Sequence, residues 1–284
     1  MGDAPFTARV VRVLTADRHI RLSALDATPL WDGVRRGHPH LESEACAPLV
    51  ELLAGAALMQ SRSLLSERIQ LLLRSSGRAS SIVADSWPDG SLRGILDVRP
   101  ENGDAPWVEC PGVFQVMRSN LAGAPYMGNL ELVEGPISAQ LEYYLQQSEQ
   151  LQACVVLWCD PSSGEAGGLI VEPLPECPQE RLNLMLAALD GLEVTQTHER
   201  TPEFLIDWMN QGQGAEILSF LSLEYRCRCS RQSLVDTLRA MPLEQRRDLF
   251  AGSEHVNVHC EYCGANYSVT PVDLLGVECV GGGQ

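Results

Sequence analysis

Apolar and polar positions alternate over Ile20-Arg21-Leu22-Ser23-Ala24, the period of a half-buried strand, and over residues 48–59 apolar positions recur at helical spacing. Strand patterns return at residues 69–73 and 81–85. Between residues 81–85 and 92–98 stands Trp87-Pro88-Asp89-Gly90, where proline presets one turn angle and glycine accepts a positive φ, so a hairpin is predicted. A strand at residues 130–133, a helix over about 138–148 and an apolar strand at 154–158 complete the pattern. The fold class predicted is α+β: residues 1–173 form one antiparallel sheet with helices packed on it.

Three prolines punctuate residues 173–178, and two amphipathic helices follow. The first, over 181–192, puts Leu182, Met185, Leu186, Leu189 and Leu192 on one face. The second opens at Thr201-Pro202-Glu203, a capping residue with proline in the first turn, and carries Phe204, Leu205, Trp208 and Met209 before Gly212 and Gly214 interrupt it. Residues 174–223 are read as a helical linker. Periodicity leaves open whether its apolar faces are permanently or conditionally packed.

The chain has 284 residues, 45% of them apolar, enough for a substantial core. Its net charge of -16 disfavours nucleic acid and anionic lipid as partners. All 21 basic residues are arginine, which removes Schiff-base, phosphate-loop and kinase lysines and with them the common ATP-driven chemistries. No run of 18 apolar residues occurs, and Met1-Gly2-Asp3-Ala4-Pro5-Phe6 lacks the features of a secretory signal, so a soluble, cytoplasmic protein is expected. In a reducing compartment, ten cysteines point to metal or redox chemistry where they cluster.

Cys46, Cys110, Cys154, Cys159 and Cys177 are scattered and read as small buried hydrophobes. The other five, Cys227, Cys229, Cys260, Cys263 and Cys279, mark a separate C-terminal module, residues 224–284. Cys227-Arg228-Cys229 and Cys260-Glu261-Tyr262-Cys263-Gly264 are two close pairs able to surround one tetrahedral zinc ion, and Gly264 tolerates the backbone angles of a knuckle. Four cysteines fill the tetrahedron and leave His259 out. On spacing alone a structural zinc and a redox role both stand, although a disulfide across one intervening residue would close a strained ring. Sulfurs around tetrahedral zinc lie roughly 3.8 Å apart and those of a disulfide about 2.05 Å, so oxidation and metal retention exclude each other. A module of about 55 residues is marginal without the metal and should unfold when it leaves. Arg226, Arg228 and Arg231 either stabilise the thiolates or form a solvated run. Six arginines against eight acidic residues over 224–284 count against a nucleic-acid-binding ribbon. Cys279 has no partner in the spacing pattern.

At these residues the chain resembles the redox-regulated holdase chaperones, the thirty-three-kilodalton heat-shock protein family. The resemblance runs over nearly the whole chain. It includes Ala54-Gly55-Ala56, Pro88-Asp89-Gly90-Ser91-Leu92-Arg93-Gly94, Tyr144 leading to Ser148-Glu149-Gln150, and Ala166-Gly167-Gly168-Leu169 running to Leu174-Pro175. It implies a reduced state with one zinc ion on Cys227, Cys229, Cys260 and Cys263. It further implies oxidation to Cys227–Cys229 and Cys260–Cys263 disulfides, zinc release, and unfolding of the C-terminal module with its linker. The active form implied is an oxidised homodimer that binds unfolding client proteins without ATP. Leu182, Met185, Leu186, Leu189, Phe204, Leu205 and Trp208 are then the client-binding candidates. The segment Tyr267-Ser268-Val269-Thr270 departs from the family in lacking the expected aromatic and acidic residues, so looser packing around the knuckle is predicted. The cysteines beyond the switch leave room for mixed disulfides.

The reading is a binding protein, not an enzyme. A thiol-disulfide oxidoreductase using Cys260 and Cys263 would want a thioredoxin-like βαβ setting, which residues 255–270 do not offer. A constitutive zinc-stabilised adaptor would be inactivated by oxidation rather than activated.

Overall fold

The structure, a computed structural model, describes residues 8–63, 67–120, 125–192, 200–250 and 252–276. The chain divides into two compact units, with the division between Arg226 and Cys227.

The first unit is built on a ten-stranded sheet. In chain order its strands are β1 (Ala8–Thr15), β2 (Ile20–Asp26), β3 (Glu67–Arg74), β4 (Ala79–Ser86), β5 (Ser91–Val98), β6 (Val113–Asn120), β7 (Tyr126–Glu131), β8 (Cys154–Cys159), β9 (Ala166–Pro173) and β10 (Ala215–Tyr225). Their spatial order is β7-β6-β3-β4-β5-β10-β1-β2-β9-β8. All pairings are antiparallel except a short parallel joint where Glu224 and Tyr225 meet Ser91 and Leu92. The Pro88-Asp89-Gly90 turn makes that joint possible. Gly90 has φ +79°, its carbonyl accepts the Glu224 N–H, and a Cβ there would stand 1.9 Å from the Ser222 carbonyl oxygen.

Alternation along the strands divides the core in two. Val10 and Leu25 face α2 (Ser43–Arg62), a helix buried along most of its length, with α1 (Thr28–Gly37) and α3 (Ile137–Glu149) beside it. Val11, Leu22, Leu169 and Val171 face the other way and are covered by Met185 and Leu192 of α4 (Gln179–Leu192) and Leu205 and Met209 of α5 (Pro202–Asn210). Arg181, almost buried, donates to Asp17 Oδ2 at 2.8 Å and Asn210 Oδ1 at 2.9 Å, tying α4 to the β1–β2 turn and to α5. The Trp208 indole N–H donates to the Ala188 carbonyl at 2.8 Å, and Thr201 caps α5.

The expected helical linker is corrected here. Residues 174–223 contain α4 and α5, but from Ala215 onward they are strand. Gln211 and Gly212 at positive φ end α5, and the β-branched and aromatic residues of β10 then pair with β1.

The second unit holds α6 (Arg231–Arg239), α7 (Leu243–Asp248), a two-stranded ribbon of β11 (Val256–His259) and β12 (Asn266–Val269), and α8 (Pro271–Leu275). Its core is small: Val235, Phe250, Val269 and Leu274. Side-chain caps compensate. Ser230 and Ser233 form a capping box on α6, and Thr270 and Asp273 form one on α8, where Asp273 also pairs with Arg231 at 2.6 Å. The Thr270 N–H and hydroxyl, with Arg231, hold the Asp273 carboxyl down to about 2.

Candidate metal centre

The β11–β12 ribbon is joined by a tight turn, and Cys260 and Cys263 stand in it. The Cys260 N–H donates to the Ala265 carbonyl at 2.9 Å, and the Cys263 and Gly264 N–H groups both turn back onto the Cys260 carbonyl. Gly264 takes φ +71°, the angle that lets the chain leave the turn. Backbone amides of Tyr262 and Ala265 approach the sulfurs of Cys260 and Cys263. Cys227 and Cys229 come from the extended segment just before the Ser230 cap of α6.

The four sulfurs lie within 4.8 Å of one another. Cys227 Sγ is 3.7 Å from Cys260 Sγ and Cys229 Sγ is 3.4 Å from Cys263 Sγ, close to the roughly 3.8 Å edge of a tetrahedron of thiolates around one ion. The donor set therefore fits a metal ion that takes four sulfur ligands.

The thiols are not equivalent. Burial raises the Cys229 pKa, but hydrogen bonds from the Tyr267 hydroxyl and the other thiols outweigh it and bring the group to about 7. Burial pushes Cys260 and Cys263 upward, Cys263 far above an ordinary thiol. Four thiols this close cannot all ionise without a compensating positive charge, so Cys229 ionises first and its negative charge opposes the next loss. Tyr267, held at 3.1 Å from Cys229 Sγ, is itself raised to about 12 by that contact.

The arginines divide. Arg226 pairs with Asp89 and Glu224 in the first unit, and Arg231 with Asp273. His259 Nδ1 faces Asn266 Oδ1 at 3.2 Å and is not among the clustered ligands. The expectation of loose packing beyond the knuckle is also corrected: Tyr267 reaches Cys229, Val269 is fully buried, and Asp273 caps α8. The aromatic residue that packs on the knuckle is Tyr267 itself, the first residue of that segment.

Of the apolar candidates, Met185 and Leu205 are fully buried, Leu182, Leu189, Phe204 and Trp208 half-buried in the same cluster, and Leu186 is 42% exposed. Phe204 and Trp208 stack at 5.6 Å. Cys46, Cys110 and Cys159 belong to the α2 core, and Cys154 and Cys177 to the α4–α5 core. Burial raises the thiols of Cys46, Cys154, Cys159 and Cys177, which suits small hydrophobes rather than reactive groups. Cys279 lies outside the described residues.

The chain is similar to the 33 kDa chaperonin of Syntrophotalea carbinolica, 28% identical over 93% of this chain and 97% of that one. It is 29% identical to the 33 kDa chaperonin of Thermus thermophilus, over 94% and 85% of the two chains. The crystal structure of the 33 kDa chaperonin (heat shock protein 33 homolog) of Thermotoga maritima shares the fold with a TM-score of 0.80 at 21% identity, covering 94% of this chain and 96% of that one. The family model described as Hsp33 protein matches residues 8–270, nearly all that the structure describes, and the chain belongs to the Hsp33 family.

Proposed function

We propose that this chain is a redox-regulated, ATP-independent chaperone that holds unfolding proteins and prevents their aggregation under oxidative stress in the cytoplasm. The observation that carries the reading is the convergence of Cys227, Cys229, Cys260 and Cys263 within 4.8 Å in a chain of this family. One zinc ion held by the four would neutralise the clustered thiolates and staple a unit whose own core has four buried apolar residues.

The residues then act as follows. Cys229, lowered to about 7 by Tyr267 and the other thiols, is the sulfur that most readily attacks a peroxide once uncovered. In each pair two thiolates would give up two electrons to form one S–S bond, and hydrogen peroxide, taking those electrons and two protons from solvent, leaves as two water molecules. The Cys227–Cys229 and Cys260–Cys263 pairing comes from the family likeness. Such bonds close very short loops and return little stability, so the small unit opens. Residues 174–223 then loosen, and Leu182, Met185, Leu186, Leu189, Phe204, Leu205 and Trp208 become a client surface in an oxidised homodimer. Undocking α4 breaks the Arg181 contacts to Asp17 and Asn210 and uncovers Met185.

The test is a peroxide titration of the reduced protein at elevated temperature, with a chromophoric chelator reading metal release while aggregation of an unfolding client is followed. The expected result is that both curves move together and a dithiol reverses the suppression. Metal release with no suppression of aggregation would make the site a structural staple and the protein an adaptor.

A further inference from the structure

At the C-terminal end of α2 the sheet face changes character. Along β1 the buried row Ala8, Val10 ends in Arg12, which stands opposite Ser23 of β2 and Ser219 of β10. Arg21 of β2 stands opposite Glu172 of β9. The last turn of α2 brings Gln60 and Arg62 over these residues, and Leu218 and Phe220 of β10 form an apolar lip. Together they line a cavity of about 670 Å³.

Its polar groups are not balanced. Arg62 donates to Glu172 Oε1 at 2.5 Å and to Glu149 Oε2 at 3.2 Å, and Arg21 lies 3.6 Å from Glu172 Oε2. Glu149 is shared with Arg118, so three guanidiniums face one carboxylate and part of another. Arg12 has no ion pair among the described residues, and its Nε is buried without a hydrogen-bond partner. Burial first, then the charges of Arg21 and Arg62, disfavour its protonated form against the pull of Glu172. Gln60 is only 5% exposed, yet its side-chain oxygen also lacks a partner. Since amide oxygen and nitrogen are interchangeable by a flip, Gln60 can present its N–H₂ to an acceptor in the cavity. Buried polar groups left open in this way cost about 1–3 kcal/mol each, and a ligand that satisfied them would recover that cost.

We infer that this cavity binds a small organic oxyanion, a phosphoryl or carboxylate group gripped by Arg12 with Arg21 and Gln60, its apolar body resting on Leu218 and Phe220. A planar guanidinium with free N–H groups matches both oxyanions. The space greatly exceeds one phosphate, and Phe220 is 59% exposed at the rim. On a chain of net charge -16 such an excess of cations stands out. The inference does not depend on the cysteine site or on the chaperone reading.

Titration calorimetry and thermal melting of the reduced full chain, at matched ionic strength, test it with inorganic phosphate, phenyl phosphate and benzoate. Phenyl phosphate or benzoate, or both, should bind saturably and at least about tenfold more tightly than phosphate, and the arm that binds names the head group. Arg12→Gln should weaken that binding at least about tenfold while leaving the unliganded melting temperature equal or higher, because a half-buried cation with no ion pair among the described residues has been removed. Gln60→Leu should weaken it too without lowering the melting temperature. No saturable binding up to about 10 mM of all three, binding untouched by Arg12→Gln, or a lowered melting temperature in that variant would each overturn the inference.

Discussion

The hydroxyl of Tyr267 lies 3.1 Å from Cys229 Sγ, and that donor heads the contacts that separate Cys229 from its three neighbours. In metal-free, reduced protein, Tyr267→Phe should move Cys229 from about 7 back toward the ordinary 9.0, slowing its alkylation near neutral pH severalfold, as read by peptide mass spectrometry across a pH series. Glu51 gives a pH dependence of another kind. Burial raises its carboxyl from 4.5 to about 7, although it accepts the Cys159 N–H. Between those values the folded chain holds a proton that the unfolded chain has lost, so stability falls as pH rises through the window. Glu51→Gln should leave stability near unchanged at pH 4.5 and raise it by about 3 kcal/mol above pH 7, measured by urea unfolding at the two ends. The four clustered cysteines were legible because ligand spacing is a local property of the chain. Tyr267 and Glu51 were not, since a donor to a sulfur 38 residues away and a carboxyl half-buried beside Cys159 depend on tertiary placement.

Among elements, α4 is held by few polar contacts, and Arg181 makes two of them. Arg181→Gln should cost about 2 kcal/mol and, on the proposed mechanism, give measurable suppression of client aggregation without oxidant; unchanged activity in a variant with loosened α4 would separate that helix from client binding. The lengths of α3 and α4 and the presence of α2, though only its middle at 48–59, were readable from 3.6-residue periodicity, and β2 to β5 from their strand patterns and the Pro88-Asp89-Gly90 turn. β10 was not. Its run Ile217-Leu218-Ser219-Phe220-Leu221 suits a helix face or a strand equally, and only the partner β1, some 200 residues earlier, decides between them. That pairing also shifts register between Arg12 and Val13, placing Leu218 outside the ladder, a detail no local pattern carries.

At the scale of the molecule the chain is two units of unequal self-sufficiency: one with a ten-stranded sheet packed under α2 and, over β1, β2, β8 and β9, also under α4 and α5, the other with four buried apolar side chains and four converging thiols. Chelation under reducing conditions should therefore remove ordered amide signals beyond Arg226 while those of β1 to β5 persist in hydrogen exchange; a protected C-terminal unit after chelation would refute the staple. The small core has a thermal consequence as well. A unit of roughly 50 residues melts with an entropy near 0.1 kcal/mol/K, so with zinc held as proposed a tenfold fall in the free ion, worth about 1.4 kcal/mol, would displace its transition on the order of 10 °C. The first unit, with no such dependence, should hold its transition fixed in the same calorimetric scan. On the proposed zinc staple, warming and metal scarcity would act on the C-terminal unit as a single variable, and the temperature at which it opens would be set by the zinc supply of its surroundings.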